Sequence, residues 1–300
     1  MIRTFESILK SAKMIGPKSL VVAVAEDDDV LNAVNNAYQY GIIKGILVGN
    51  EGDIRKIAQK NQIDITNFEL IHEEDRVQAC KKAAEVLKSG RASMLMKGFV
   101  DTAVILKAVL DKEDGLTNNG LLSHVGVLQI NGFDRLFILS DAAMNIAPSL
   151  EDKVEIIRNA VKVAHGLGNK LPKVAILCAV EKVNPKMPAT VDAKQLEEMN
   201  KFGIIKDCIV GGPFALDNAV SLESAKHKGI EHPVAGRADI LITPNIESGN
   251  MLNKSMEYFA LAKKAGIIMG AGAPIVLTSR ASSEESKLNS IALAVLIAHH

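Results

Sequence analysis

A serine–arginine pair near the end of the chain has the residue types that bind phosphate. Ser279 and Arg280 stand where an apolar stretch ends and a serine-rich turn begins. A guanidinium binds two oxygens of one phosphate, and a neighbouring hydroxyl donates to an oxyanion. The acids that follow have another explanation, because Ser282 and Glu285 have the spacing of a helix capping box. For Ser279 and Arg280 we favour anion binding over a purely structural role.

A second candidate anion site is centred on Lys97 and Gly98, which end another apolar stretch. Thr102 follows and is placed to cap the next helix. Backbone amides at a helix N-terminus, with a lysine beside them, attract anions. Spacing alone favours the simpler alternative of an ordinary helix start with a solvated lysine.

Two polar segments in the middle of the chain have residues for proton transfer and for shaping a loop. Ser123 and His124 begin one apolar stretch, and Asp141 and Asn145 follow the next. His124 is suited to general acid or base chemistry, although a single histidine beside a strand is more often structural. For Asp141 a turn-forming role and a binding role are equally supported.

The fourth segment begins at Asn245 and precedes an amphipathic stretch. Ser248, Gly249 and Asn250 would present small side chains and backbone amides to an anion. Lys254 lies one helical turn beyond Asn250 and would face the same way. A helix cap with a surface lysine is the alternative.

Standard catalytic motifs do not occur in the sequence, which has no GxxxxGK[ST], HExxH or GxSxG pattern and no GxGxxG after its first predicted strand. All four polar segments begin where a predicted strand ends, which is where open α/β sheets bind ligands. The residues themselves therefore predict a two-domain α/β enzyme with anion sites at its strand ends.

A repeated strand–helix pattern positions these segments. An apolar stretch at 20–25 precedes the acids at 27–29, which suit the positive end of a helix. Further strand–helix units follow, which predicts a mostly parallel sheet with helices on both faces. The predicted strands of this part are 45–48, 69–72 and 93–96, and the predicted helices are 53–59, 75–87 and 102–110.

The pattern changes at 112–120, a polar, glycine-bearing stretch that we interpret as a domain crossing. Asn131 and Gly132 then separate the stretches 124–130 and 136–140, which predicts an antiparallel hairpin. Strand–helix alternation resumes after the hairpin. The predicted strands are 173–179, 207–210, 238–243 and 274–279, and the predicted helices are 151–165, 193–200, 215–225, 249–264 and 283–298.

The composition argues against several classes of protein. The 300 residues are 48% hydrophobic but only 4% aromatic, as buried sheets covered by helices require. Basic and acidic residues number 35 each, so nothing indicates binding to nucleic acid or to a membrane surface. The three cysteines are widely spaced and form no metal or disulfide pattern. The N-terminus lacks a signal-like segment and no apolar run has transmembrane length, which predicts a cytoplasmic protein.

Beyond these signals, the chain resembles the phosphate acetyltransferase/butyryltransferase family essentially from end to end, and most closely its butyryl-transferring members. Together the matching segments are highly specific, although each alone would be weak. They are Met-Lys-Gly at 96–98, Ser-His at 123–124, Asp-Ala-Ala-Met-Asn at 141–145, Asn-Pro-Lys-Met-Pro at 184–188, Gly-Pro-Phe-Ala-Leu-Asp at 212–217, Val-Ala-Gly-Arg-Ala-Asp-Ile at 234–240, Pro-Asn-Ile-Glu-Ser-Gly-Asn at 244–250 and Pro-Ile-Val-Leu-Thr-Ser-Arg at 274–280.

The resemblance implies an isocitrate/isopropylmalate-dehydrogenase-like fold with two three-layer α/β/α domains and a cleft between them. We expect the first domain to comprise 1–122 plus 281–300 and the second to comprise 123–280. The implied reaction converts acyl-CoA and phosphate, here butyryl-CoA, into acyl phosphate and CoA through a ternary complex, as in butyrate fermentation. The resemblance also implies a homo-oligomer, and we expect no metal and no tightly bound cofactor.

The same resemblance makes Ser279 and Arg280 catalytic, with Arg280 binding phosphate or the developing charge. We expect Lys97 and the amides of 248–250 to complete the phosphate cradle. The acetyl-transferring members have an aspartate seven residues after the serine, proposed to deprotonate the CoA thiol, but this chain has Ser286 there. Glu285 or His124 would have to substitute, or a positive site would have to lower the pKa of the thiol.

Three alternatives remain open at this point. The acyl group could be acetyl or branched, because pocket size is a three-dimensional property. An NAD-dependent dehydrogenase on the same fold would require metal-binding aspartates near the cleft, and no suitable acidic cluster is evident. A solute-binding module would leave Ser279 and Arg280 without a purpose.

Overall fold

The computed structural model describes residues 1–111, 116, 120–278 and 282–299. The chain divides into two compact units. The N-terminal unit comprises Phe5–Gly120 and Ala265–His300, and the central unit comprises Met1–Thr4 and Leu121–Lys264. The two-unit α/β architecture agrees with the predicted fold class.

Helices and strands alternate along most of the chain. Up to the division after Gly120 they are α1 (Phe5–Ile15), β1 (Lys18–Ala23), α2 (Asp28–Gln39), β2 (Ile43–Gly49), α3 (Glu51–Lys60), β3 (Glu69–His72), α4 (Arg76–Lys88), β4 (Met94–Lys97) and α5 (Thr102–Val109). Beyond it they are β5 (Ser123–Gln129), β6 (Leu136–Ser140), α6 (Leu150–Gly166), β7 (Lys173–Leu177), α7 (Pro188–Lys201), β8 (Ile209–Phe214), α8 (Leu216–Val220), α9 (Leu222–His227), β9 (Ile240–Ile242), α10 (Ile246–Tyr258), β10 (Lys263–Met269), β11 (Ile275–Val276) and α11 (Glu284–Ile297).

The N-terminal unit has a twisted sheet in the order β3-β2-β1-β4-β11-β10. Strands β1 to β4 and β11 run parallel, whereas β10 pairs antiparallel with β11. The last four residues of β1 are fully buried, as expected for a strand covered on both faces. Asp27, Asn50 and Asp75 each accept a backbone hydrogen bond as the N-caps of α2, α3 and α4.

The central unit has strands in the order β5-β6-β9-β7-β8. β5 and β6 form the predicted antiparallel hairpin, and β6, β9, β7 and β8 run parallel. Leu139, Leu241 and Phe214 belong to its buried core. Strand ends that carry Ser140 and Ile242 therefore lie at one edge of the same sheet.

Several predicted boundaries are wrong. Residues 265–278 belong to the N-terminal unit and not to the second domain, because β11 pairs with β4 and β10 pairs with β11. The predicted helix 249–264 ends at Tyr258, and its last two residues begin β10. The predicted helix 215–225 consists of α8 and α9, which are separated at Ser221. The predicted domain crossing at 112–120 lies almost entirely outside the described residues.

Candidate active site

The carboxyl ends of β1, β4 and β11 lie together at one edge of the sheet in the N-terminal unit. The register pairs Ala23 with Lys97 and Met96 with Val276, so the segments that follow these parallel strands leave the sheet side by side. Such edges bind ligands in α/β proteins. The predicted catalytic residues Ser279 and Arg280 follow β11 in the sequence but lie outside the described residues.

Lys97 is buried at this edge and is not the solvated lysine of the simpler alternative. Only 8% of the residue is exposed, and its ammonium donates to the carbonyl oxygens of Gly98 at 3.2 Å and Val100 at 2.9 Å. A Cβ on Gly98 would lie 2.0 Å from the carbonyl oxygen of Val24, so only glycine fits there. Lys97 therefore places a positive charge inside the loop that follows β4.

Thr102 does not cap the next helix as predicted. It is the first residue of α5, and Asp101 occupies the N-cap position. Its side chain is partly buried at the helix start. Thr102 therefore lies a few residues after Lys97 in the sequence, and the structure assigns no capping role to its hydroxyl.

Glu26 is a residue of this edge that the sequence reasoning missed. It follows β1, and its Oε2 atom is buried with no hydrogen-bond partner in the described part of the protein. Burial raises the pKa of this carboxyl above its ordinary value, against the opposing effects of backbone hydrogen bonds and Arg76. The sequence carried one signal for Glu26, which is an acid directly after a buried apolar stretch. The three aspartates that follow it led us to interpret the whole acidic segment as a helix start.

The start of α11 differs from the predicted capping box. Ser283 is the N-cap, and its hydroxyl accepts the backbone N–H of Ser286 at 3.2 Å. Glu285 is exposed in the first helical turn. The predicted capping box between Ser282 and Glu285 is therefore wrong by one residue. The N-cap is Ser283, and its hydrogen-bond partner is Ser286.

Asp141 organises the loop between β6 and α6 in the central unit. Its buried carboxylate accepts from the backbone N–H groups of His124, Ala143 and Met144, and from the side-chain amide of Asn145 at 2.6 Å. The Asn145 amide also donates to the carbonyl oxygen of Leu122. The predicted pair Asp141 and Asn145 thus comes together, but the carboxylate is occupied by its own loop.

The N-terminus of α10 packs directly on this loop. A Cβ on Gly249 would lie 2.2 Å from the backbone oxygen of Asp141 and 2.7 Å from Oγ1 of Thr243. The side-chain amide of Asn250 donates to the carbonyl oxygen of Ala142 at 3.2 Å. Gly249 and Asn250 are therefore contact residues between two loops at the carboxyl edge.

The first backbone amides of α10 have hydrogen-bond partners in the helix cap formed by Asn245. The N–H of Ser248 donates to the side-chain oxygen of Asn245 at 3.0 Å, and the N–H of Gly249 donates to the Asn245 carbonyl at 3.1 Å. The Ser248 hydroxyl also donates to Asn245 Oδ1, at 2.6 Å. Asn245 thus already accepts from the donors that were expected to bind an anion, and phosphate binding by 248–250 stays a prediction.

Lys254 is held by a carboxylate on its own helix. Its ammonium lies 3.0 Å from Glu257, which also binds Lys264 at 2.5 Å, and it stacks on the ring of Tyr258. Glu257 carries a lowered pKa, because its hydrogen bonds and ion pairs with the two lysines outweigh burial, the largest opposing effect. Lys254 therefore belongs to an ion-pair cluster and does not stand beside Asn250 as a free cation.

Ser123 and His124 begin β5 and are both buried. The Ser123 hydroxyl accepts from the side chain of Asn159 at 2.9 Å, which places it in the core. The His124 ring lies over Gly126, and its Nδ1 atom is buried without a partner in the described part of the protein. Burial lowers the pKa of His124, Asp141 opposes this effect and Lys264 adds to it. His124 is therefore a neutral imidazole at neutral pH.

The described residues offer neither a metal centre nor a membrane span. Within the described ranges, no group of three or more His, Cys, Asp or Glu side chains is arranged to hold a metal ion. No helix in those ranges combines the length and apolar character needed to cross a membrane.

Comparison with known proteins gives matches along nearly the whole chain. The family described as "Phosphate acetyl/butaryl transferase" matches residues 3–82 and 72–295. Phosphate butyryltransferase from Clostridium acetobutylicum is 49% identical over 298 residues, 99% of either chain. Phosphate acetyltransferase from Thermotoga maritima is 44% identical over 98% of this chain and 99% of its own.

A solved structure agrees with these matches. A branched-chain phosphotransacylase from Enterococcus faecalis superimposes with a TM-score of 0.84 and 35% sequence identity. The match covers 94% of this chain and 99% of that one. The names of these three relatives specify different acyl groups, which are butyryl, acetyl and branched-chain.

Proposed function

Because this chain belongs to the phosphate acetyl/butaryl transferase family, we propose that it exchanges coenzyme A and inorganic phosphate on a short-chain acyl group, with butyryl preferred. The observation that carries the proposal is the 49% identity to a phosphate butyryltransferase over 99% of either chain. The reaction converts butyryl-CoA and phosphate into butyryl phosphate and CoA. An NAD-dependent dehydrogenase is disfavoured because the family match extends over both units.

The proposed mechanism is direct attack within a ternary complex. A phosphate oxygen forms a bond to the thioester carbonyl carbon, and the carbon–sulfur bond breaks as CoA departs. Phosphate is a modest nucleophile, so its position and the neutralisation of its charge supply most of the catalysis. Acyl-CoA and phosphate are substrates, and the mechanism uses no tightly bound cofactor.

The buried ammonium of Lys97 supports this proposal. Lys97 places a buried ammonium at the carboxyl edge of β4, beside the strand that leads to Ser279 and Arg280. By family resemblance, Arg280 binds phosphate and Ser279 donates to the oxyanion. Substituting Arg280→Lys keeps the charge but removes the two-oxygen fork, and we expect the KM for phosphate to rise.

In the central unit, two of the predicted site residues shape the loop after β6. Asp141 fixes the loop after β6, and Gly249 lets α10 approach that loop closely. Both act as positioning residues and not as ligands of phosphate.

We also propose a homo-oligomer in the cytoplasm. Large apolar side chains are exposed along α10 and just after it, which is typical of an interaction surface. They are Met251, Tyr258, Phe259 and Leu261. Sedimentation velocity of the purified chain measures the assembly, and a single monomeric species would contradict it.

The branched-chain and acetyl relatives make acyl specificity a separate question. Free thiol released from butyryl-CoA, isobutyryl-CoA and acetyl-CoA, each with and without phosphate, tests activity and preference together. We expect phosphate-dependent release with the highest kcat/KM for butyryl-CoA. A higher kcat/KM for either other thioester would reassign the substrate, and release independent of phosphate would remove the proposed reaction.

A further inference from the structure

The surroundings of the Glu26 carboxyl group are not explained by a purely structural role. Its Oε2 atom lies against the backbone of Gly49, where a Cβ would be only 2.0 Å away. The carboxyl accepts backbone hydrogen bonds from Asn50 and from its own residue. Oε2 is buried and receives no bond in the described part of the protein. Only one side of the carboxyl group is therefore satisfied as an anion.

The groups around Glu26 come from three elements. Burial is the largest influence on its pKa and raises it; Arg76 at the start of α4 lowers it, and Asp53 in α3 raises it slightly. Cys80 in α4 lies within electrostatic range of Glu26, and burial raises the pKa of this thiol to about 11, so it stays uncharged at neutral pH. The carboxyl of Glu26 thus keeps a proton to higher pH than an exposed glutamate does.

The segment that carries Glu26 is hydrogen-bonded to the Lys97 loop. The carbonyl oxygens of Ala23 and Val24 accept the backbone N–H groups of Gly98 at 2.9 Å and Phe99 at 2.7 Å. Cys80 is within electrostatic range of both Lys97 and Glu26. A carboxyl that can hold a proton and a buried ammonium therefore occupy the same edge of one sheet.

We propose that Glu26 is the proton donor to the departing CoA sulfur, and its proton acceptor in the reverse reaction. This inference rests on the proposed function. It also supplies the group that is missing where the chain has Ser286. Glu26 belongs to the N-terminal unit, as Lys97 does.

The proton balance closes without another reactant. Phosphate enters as HPO₄²⁻, and one of its oxygens bonds to the carbonyl carbon. The carbon–sulfur bond breaks, the electron pair goes to sulfur, and the Glu26 proton moves to that sulfur. The proton of the phosphate then returns to the Glu26 carboxylate, which leaves an acyl phosphate dianion and neutral CoA thiol.

Glu26→Gln keeps the shape of the side chain and removes the transferable proton. We expect kcat for butyryl-CoA to fall about 100-fold or more, the usual contribution of a general acid, with little change in KM. Glu73→Gln is the matched control, because Glu73 follows β3 at the same edge and pairs with Lys82. Its kcat should remain within about twofold of wild type.

The pH profile separates proton transfer from a structural role. Wild-type kcat in the acyl-phosphate direction should fall with rising pH as Glu26 loses its proton, and Glu26→Gln should lack this limb. The ratio of the two rates cancels the titration of phosphate itself. A variant with wild-type kcat, or a slow variant that keeps the limb, overturns the proposal.

A second variant covers the case in which Glu26→Gln does not fold. Glu26→Asp shortens the side chain and withdraws the carboxyl from Gly49, and the lower ordinary pKa of aspartate should move the limb to lower pH; an unmoved limb overturns the proposal. If the wild type had no turnover, or turnover that did not depend on phosphate, that result would instead contradict the proposed function. The two failures are therefore distinguishable.

Discussion

Lys287 in the first turn of α11 binds Asp29 in the first turn of α2, although the two residues are 258 positions apart in the sequence. The ammonium lies 2.9 Å from the carboxylate and also donates to the carbonyl oxygen of Ser282 at 3.1 Å. Its side chain is 4% exposed, whereas that of Asp29 is 55% exposed. This contact ties the last helix to the N-terminal unit, in agreement with the expected return of the chain.

The two partners of this ion pair should respond differently to substitution. Among the described residues, Asp29→Ala leaves the buried ammonium with the carbonyl oxygen of Ser282 as its one partner, and we expect a loss of about 1–3 kcal/mol in the free energy of unfolding. Lys287→Met keeps an apolar stem in the core and leaves a hydrated carboxylate, so the loss should be smaller. The free energies of unfolding of both single variants and their double mutant, measured in urea, give the coupling energy of the ion pair. Equal losses in the two single variants that add fully in the double mutant would contradict this interaction.

Gly249→Ala should destabilise the central unit. The new Cβ would meet the backbone oxygen of Asp141, which a side-chain rotation cannot relieve. We expect a cost of about 1–3 kcal/mol, as for other overpacked sites. Gly52→Ala in α3 is the control, because in the described part of the protein its new Cβ would meet only the side-chain oxygen of the N-cap Asn50, at 3.3 Å. That change should leave the free energy of unfolding unchanged or raise it by up to about 1 kcal/mol. If urea unfolding gave equal changes for Gly249→Ala and Gly52→Ala, the steric explanation would be disproved.

Asp141→Asn should loosen the loop after β6. An asparagine amide would turn a donor towards the N–H of His124 or the amide of Asn145, and both are donors themselves. We expect about 2–4 kcal/mol of lost stability, together with lower turnover at unchanged substrate specificity. Asp134→Asn, at a side chain that is 78% exposed, is the control and should cost less than about 1 kcal/mol. An equally stable Asp141→Asn variant would contradict the organising role of this carboxylate.

His124 should make the protein less stable in mild acid. Burial lowers its pKa in the folded state, so below pH 6.5 the unfolded chain binds a proton that the folded chain does not. Unfolding is therefore favoured as pH falls through 6.5 towards the lower folded value, by up to about 1.4 kcal/mol per pH unit. His124→Asn should have a shallower pH dependence in that window, since the contribution of His232 is common to both proteins. Parallel curves would show that His124 has the same pKa in the folded and unfolded chain, which would contradict the effect of burial.

The sequence predicted the alternating elements because their signals are local. The buried strand at 20–25 and the hairpin around Asn131 and Gly132 follow from apolar patterning and turn chemistry within a few residues. β10 was missed because its first residues, Lys263 and Lys264, continue the polar pattern of α10. Only its pairing with β11 makes that segment a strand.

The site was harder to predict because side-chain partners come from distant segments. Asn245 looked like part of an anion site, yet its oxygens already accept from Ser248 and Gly249. Glu26 was unremarkable in the sequence, and its burial depends on Gly49 at the end of another strand. No local pattern reports which hydrogen bonds are already made, so residue types indicated the edge of the sheet but not the function of each residue.

The central claim is that this chain forms an acyl phosphate from butyryl-CoA and phosphate. The direct test follows CoA thiol and butyryl phosphate in the same reaction, with phosphate present or omitted. We expect one acyl phosphate for each thiol released, and no thiol release when phosphate is omitted. Thiol release without phosphate, or without a matching amount of acyl phosphate, would contradict the account.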